Sequence, residues 1–161
     1  MNNPPIKRNK SLVVLSKEHH YGLLASWKIR RGFELGTDQK RIATFVINFW
    51  EVHLIGHFNA EEEILFKAIK HPLVDEALLQ HTELRRLVKS ISEERSPEQL
   101  SNFADLLEKH IRFEERQVFK MLQQELSEEK LVEIGKQLEE LHSQPFEDNY
   151  KDEFWLVKDD E

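Results

Sequence analysis

The chain has 161 residues, the size of a single domain that can bury a core without disulfides or other cross-links. It has no cysteine, which excludes a disulfide framework, a thiolate zinc site and an iron–sulfur cluster. The 30 acidic and 23 basic residues are interspersed and give a net charge of -7, so we expect no surface for nucleic acid or an anionic membrane. Neither a signal peptide nor a membrane span is recognisable, and we therefore expect a cytoplasmic protein.

Apolar residues recur three and four positions apart with hardly any alternation, and only five glycines and five prolines are present. Both features predict an all-α fold. Residues 1–10 are predicted to be a disordered arm, and residues 143–161 an acidic tail with aromatic residues. Between them we predict four long helices and a shorter fifth, at about residues 11–32, 38–70, 73–94, 97–125 and 127–142.

Two proline-containing sequences set helix boundaries. Pro72 disfavours helical geometry at His71 and so ends the second helix. Ser96 followed by Pro97 and then Gln99 is typical of a helix start, with Ser as the N-cap and Pro at the first helical position. Four long helices joined by short turns are expected to pack as an up-and-down antiparallel four-helix bundle, with the short fifth helix added at its C-terminal side.

The motif His-x-x-x-Glu-Glu-x-x-x-Phe occurs twice, at residues 57–66 and 110–119. Residues four apart lie on one face of an α-helix, so the histidine and the first glutamate of each copy present a nitrogen and an oxygen to the same point. The two pairs are His57 with Glu61 and His110 with Glu114. Each pair therefore has the spacing of two metal ligands.

A further histidine, His81, is predicted on the inward face of the third helix. Counting 1.5 Å per residue from the turns places it within about one helical turn of both motif pairs. Burying such a set costs several kcal/mol unless a bound cation satisfies it. Nitrogen and oxygen ligands without sulfur suit iron, manganese or zinc, and the two glutamates can bridge a pair of ions.

The first helix offers two adjacent histidines, and the pattern leaves the choice between them open. Leu15, four residues before His19, continues an inward row. Leu23 and Leu24 instead favour His20, which they follow by three and four residues. We favour His19, with the other histidine outside the site or in contact with its ligands.

Five other polar residues have less specific expectations. His53, one turn before the first motif copy, is an additional ligand, a partner of a ligand or a core histidine. We expect Glu62 and Glu115 to face solvent or to pair with Lys or Arg. His71 and His142 lie at a turn and a helix end, where a capping or dipole role is expected.

Taken together, these motifs resemble the haemerythrin-like HHE cation-binding family over about residues 11–125. The matching residues, in chain order, are Glu18-His19, His57-x-x-x-Glu61-Glu62 with Phe66, His81, and His110-x-x-x-Glu114-Glu115 with Phe119. The resemblance implies a four-helix bundle with two non-haem iron ions bridged by Glu61 and Glu114, the histidines being terminal ligands. Members of the family bind dioxygen or related small molecules, store or sense iron and oxygen, or act on nitric oxide and peroxide.

One departure concerns the third helix. Oxygen-carrying haemerythrins have a second histidine one turn after the first, where this chain has Arg85. The resemblance therefore favours a more open or more carboxylate-rich site over a reversible oxygen carrier. Two functions remain: a di-iron protein that binds or senses dioxygen, nitric oxide or peroxide, and a structural metal-binding or helical interaction module without redox chemistry. An extra helix and an aromatic tail are compatible with a homodimer.

Overall fold

The computed structural model describes residues 7–157, and within this range the chain is helical and has no β-strand. The prediction of an all-α fold is therefore confirmed. Residues 1–6 of the predicted arm and residues 158–161 of the predicted tail lie outside the described residues. The α-helices are α1 (Val13–Glu34), α2 (Gln39–Phe49), α3 (Ile55–Ala60), α4 (Pro72–Glu94), α5 (Pro97–Phe113), α6 (Phe119–Glu125) and α7 (Glu128–Leu141).

The second and fourth predicted helices are continuous but irregular. In the second, π-helical turns at Trp50–Leu54 and Glu61–Leu65 flank α3, and a 3-10 turn at Phe66–Ala68 ends the segment. In the fourth, the π-helical turn Glu114–Val118 joins α5 to α6. A π turn replaces the i→i+4 hydrogen bond by an i→i+5 bond and so rotates the helix faces that follow it.

The starts of α4 and α5 follow the predicted proline pattern. The His71 side chain caps α4 by accepting a hydrogen bond from the Leu73 amide at 3.1 Å, and Pro72 is the first helical residue. The predicted capping role of His71 is thus confirmed. Ser96 occupies the N-cap position before Pro97, but its side chain makes no capping hydrogen bond.

The four long helical segments contact one another in a closed order. α1 packs against α2 and α5, and α4 also packs against α2 and α5. Buried apolar side chains form two clusters, and in α1 Leu15 belongs to one cluster and Ala25 to the other, with His19 between them. The same order recurs around His81 in α4. The histidines therefore lie in a layer between two apolar regions.

The C-terminal segment, residues 143–157, has no helix but packs against α1 and α2. Phe154 and Trp155 are buried, and a Cβ atom at Gly32 would lie 2.8 Å from the Phe154 ring, so a larger residue there would displace that ring. The Lys28 ammonium lies 4.1 Å from the centre of the Trp155 ring and 3.0 Å from Asp148. Among the described residues, each helix is too short or too polar to cross a bilayer.

Candidate metal centre

Six buried side chains from four helical segments converge between the two apolar clusters and are called here the polar layer. They are His19, His57, Glu61, His81, His110 and Glu114. They form two groups that share both glutamates: one adds His19 and His57, and the other adds His81 and His110. Within each group, one ligand atom from every residue lies within 4.8 Å of the others. Each of the six side chains is at most 3% exposed.

Both glutamates of the polar layer begin a π turn. The Phe66 amide donates its hydrogen bond to the Glu61 carbonyl, and the Phe119 amide donates to the Glu114 carbonyl. The phenylalanine of the repeated motif is thus the residue that closes the π turn, five positions after the glutamate. Such turns occur often at functional sites, where they change the direction in which side chains point.

The Nε2 atoms of three histidines surround the Glu61 carboxylate. His57 and His81 place Nε2 at 3.3 Å and 3.2 Å from Oε1 of Glu61. His19 approaches the other oxygen, Oε2, with Nε2 at 3.8 Å. Glu61 therefore faces imidazoles from three helical segments.

The Glu114 carboxylate has a similar environment. Nε2 of His110 contacts Oε1 of Glu114 without the geometry of a hydrogen bond. Nε2 of His81 lies 3.7 Å and Nε2 of His19 3.9 Å from the same oxygen. His19 and His81 thus each approach both glutamates.

Several of these buried atoms have no hydrogen-bond partner among the described residues. They are both ring nitrogens of His19, Nε2 of His57 and of His110, Oε2 of Glu61 and both carboxylate oxygens of Glu114. Leaving a buried polar group unsatisfied costs about 1–3 kcal/mol, and more for a charged group. A cation bound among these atoms would satisfy them together, because imidazole nitrogens and carboxylate oxygens are its normal ligands. The residues present therefore fit a metal site.

The Nδ1 atoms of the same four histidines face partners outside the polar layer. The partners are Glu18 for His57 at 3.0 Å, Glu62 for His81 at 2.6 Å, Gln80 for His110 at 2.7 Å and Glu115 for His19 at 3.5 Å. An Nδ1 proton held by such an acceptor leaves the Nε2 lone pair free to bind a metal. Hydrogen bonds therefore hold the imidazoles of His57, His81 and His110 in the orientation that a metal ligand needs, whereas His19 only lies near Glu115.

A sequence model of the hemerythrin HHE cation binding domain matches residues 13–122, which contain the whole polar layer. The chain belongs to the hemerythrin HHE cation-binding family. No curated protein and no solved structure matches it. Helix α7 and the C-terminal segment lie beyond the matched HHE domain.

The second glutamate of each motif copy has a role in the HHE domain that the sequence analysis missed. Glu62 was expected to face solvent or to pair with a basic residue, and it does accept a hydrogen bond from Arg85 at 2.7 Å. It also contacts His81, which lies on a different helix. Glu115 likewise faces His19 and accepts a hydrogen bond from the Ser16 hydroxyl at 2.9 Å. The occurrence of Glu-Glu in both copies of the motif could have indicated that the second glutamate also contributes to the site.

Burial and charge act in opposite directions on the titratable groups of the HHE domain. Burial alone would lower the pKa of His57, but Glu61 and Glu18 outweigh it and raise that pKa to about 10. Burial also opposes protonation of His81, whose pKa the hydrogen bonds of Glu114 and Glu61 raise to about 11. Without a metal, these imidazoles therefore carry protons at neutral pH and balance the buried carboxylates. Those protons must leave when a cation binds.

Besides His71, which caps α4, two histidines of the HHE domain lie outside both groups. His20, retained as the alternative to His19, is exposed, and its ring packs 5.7 Å from Tyr21. Adjacent helical residues point in different directions, so only His19 reaches the polar layer. His53 is buried and belongs to neither group, and its ring lies 4.4 Å from Phe146. Burial, together with the neighbouring His57, lowers the pKa of His53 to about 4.

An open cleft of about 1010 Å³ borders the His57 side of the HHE domain. Its walls come mainly from the second helical segment and from the C-terminal segment, with Glu18 of α1 and Leu141 of α7 at its edge. Glu18, His53, His57 and His142 are among the residues that line it. The cleft thus brings solvent next to one of the two ligand groups.

Proposed function

We propose that this HHE-domain protein is a non-haem di-iron protein that binds or senses dioxygen or a related small molecule, nitric oxide or peroxide. The observation that carries the proposal is the pair of four-residue groups that share Glu61 and Glu114. Two ions would each receive two imidazoles and would share both carboxylates. Four protein ligands leave positions open on an ion that takes five or six.

The choice of iron rests on ligand type and on family resemblance. Imidazole and carboxylate ligands without sulfur suit iron, with manganese and zinc as alternatives. Bound iron would supply redox chemistry and an exchangeable coordination position. The HHE match supports cation binding by this set of residues.

The residues around the polar layer would orient the ligands and exclude water. Phe58 stacks on His81 with ring centres 3.9 Å apart, and Phe119 stacks on His19 at 5.3 Å. An apolar shell of this kind controls how solvent reaches a metal site. The cleft next to His57 is the approach that we propose for such a ligand.

We propose a helix topology and a cellular location for the protein as well. An up-and-down antiparallel arrangement is supported by the closed packing order of α1, α2, α4 and α5 and by the short connections between the long segments. We also propose a cytoplasmic location, with which the absence of cysteine is compatible. Dimer formation stays a prediction.

The function is tested by the visible spectrum of iron-loaded protein, reduced without air and then exposed separately to dioxygen, nitric oxide and peroxide. We expect a spectral change specific to at least one of the three. Glu114→Ala should abolish it, whereas Glu63→Ala, which alters an exposed glutamate of the first motif copy, should not. Identical spectra under all conditions, or tight binding of redox-inert zinc alone, would favour the structural metal-binding alternative.

A further inference from the structure

His142 connects helix α7 to the polar layer, although it lies outside the matched HHE domain. It follows the last residue of α7, and its Nδ1 donates a hydrogen bond to the Leu138 carbonyl at 2.6 Å. This bond is the capping role that the sequence predicted. The other ring nitrogen, Nε2, faces Oε1 of Glu18 at 2.9 Å.

Glu18 carries this contact on to a candidate ligand. The same oxygen, Oε1, accepts a hydrogen bond from Nδ1 of His57 at 3.0 Å. Glu18 and His142 are partly buried, whereas His57 is 3% exposed. A chain of side chains therefore runs from the end of α7 through Glu18 to His57.

Helix α7 packs against two of the helical segments that carry the polar layer. It packs against the 3-10 turn Lys10–Leu12, which precedes α1, and against the π turn Glu61–Leu65. A Cβ atom at Gly135 would lie 2.9 Å from the Ser11 hydroxyl, so the approach to the first turn is close. Leu138, whose carbonyl binds His142, is fully buried. The packing of α7 thus fixes the backbone from which His142 reaches Glu18.

We propose that His142 is a positioning residue for the metal centre: by holding the Glu18 carboxylate, it fixes the orientation of the His57 imidazole toward the ion. The proposal rests on the proposed metal-binding function. Helix α7 lies outside the family match, but through His142 it would help to orient a metal ligand. Partners of ligand histidines typically change metal affinity 10–100-fold when they are removed.

Cobalt(II) is the probe for this proposal, because its visible absorption reports ligand geometry as well as binding. We expect His142→Ala to weaken cobalt(II) binding by about tenfold, the lower end of that range, and to change the spectrum. His142→Gln, which keeps a donor for Glu18, should recover most of the affinity. His20→Ala, which removes an exposed histidine on α1, should bind like the wild type.

A double-mutant cycle separates positioning through Glu18 from a general loss of structure. In a Glu18→Ala background, His142→Ala should cause no further loss of cobalt(II) affinity. Equal losses in both backgrounds, or an unchanged His142→Ala protein, would overturn this proposal alone. A wild-type protein that binds no cobalt(II) would overturn the proposed metal centre and this inference with it. Thermal melts of each variant check that the fold is retained.

Discussion

Glu61 and Glu114 lie on different helical segments, and each starts a π turn that closes on a phenylalanine five residues later. Both carboxylates belong to both candidate ligand groups. The two copies of the motif therefore place Glu61 and Glu114 in equivalent positions in the structure. Each glutamate belongs to both groups and each histidine to only one. Mutation of a glutamate and mutation of a histidine should therefore change the number of bound ions differently.

Removing a shared ligand should affect both ions, whereas removing a histidine should affect one. We expect Glu114→Ala to lose both ions, and His110→Ala to retain the ion held by His19 and His57. The affected ion should bind at least about tenfold more weakly, which is the scale seen even for partners of ligands. Anaerobic titration with ferrous iron measures both stoichiometry and affinity. Equal stoichiometry in the two variants would contradict the shared arrangement.

The metal-free protein should lose stability as the pH rises above neutral. The pKa values of His57 and His81 are raised in the folded state, to about 10 and about 11, from an ordinary value of 6.5. Between pH 6.5 and about pH 10–11 the folded state therefore binds more protons than the unfolded state. The stability that these protons contribute is fully present only below pH 6.5 and is lost as the pH rises through the folded-state pKa values. We expect the melting temperature of chelator-treated protein to fall from about pH 7 to about pH 10. A rise over this range would contradict the assigned protonation.

Metal binding should release protons from the same two imidazoles. At about pH 8, below both raised pKa values, His57 and His81 are protonated in the metal-free protein. Binding of two cations should therefore release about two protons per chain, and affinity should increase with pH. Titration in weakly buffered solution with a pH indicator measures the release. Binding without proton release would show that both imidazoles were already neutral.

Two glycines provide a matched test of the C-terminal segment. At Gly32 an added Cβ would lie 2.8 Å from the Phe154 ring, whereas at Gly56 it would meet nothing within 4 Å. Gly32→Ala should lower the free energy of unfolding by about 1–3 kcal/mol through overpacking. Gly56→Ala should raise it by up to about 1 kcal/mol, because alanine is the better helix former. Chemical denaturation of both variants measures the difference, and equal effects would contradict the packing of Phe154 on α1.

The sequence predicted those features that depend on helical periodicity. The spacing of four residues places His57 with Glu61 on one face, and the count from the turns places His81 at the same level. The choice between His19 and His20 stayed open, because apolar neighbours supported both. In the structure His19 packs between the two apolar clusters while His20 faces solvent, and we therefore propose His19 as the ligand from α1.

The features that the sequence did not predict depend on contacts between segments. A π turn has no distinct residue pattern, so the change of register at Glu61 was not visible. Glu62 and Glu115 looked like surface residues because their histidine partners lie on other helices. His142 and Glu18 are 124 positions apart in the sequence, and no local spacing indicates that contact.

We propose that the polar layer would hold two iron ions, with Glu61 and Glu114 as ligands shared between them. The most direct test of this claim is elemental analysis of protein produced with added iron, combined with the visible spectrum in the oxidised and reduced states. We expect about two irons per chain, one for each ligand group, and an absorption that bleaches on reduction and returns in air. No iron, or iron content that is unchanged in Glu61→Ala and Glu114→Ala, would contradict the claim.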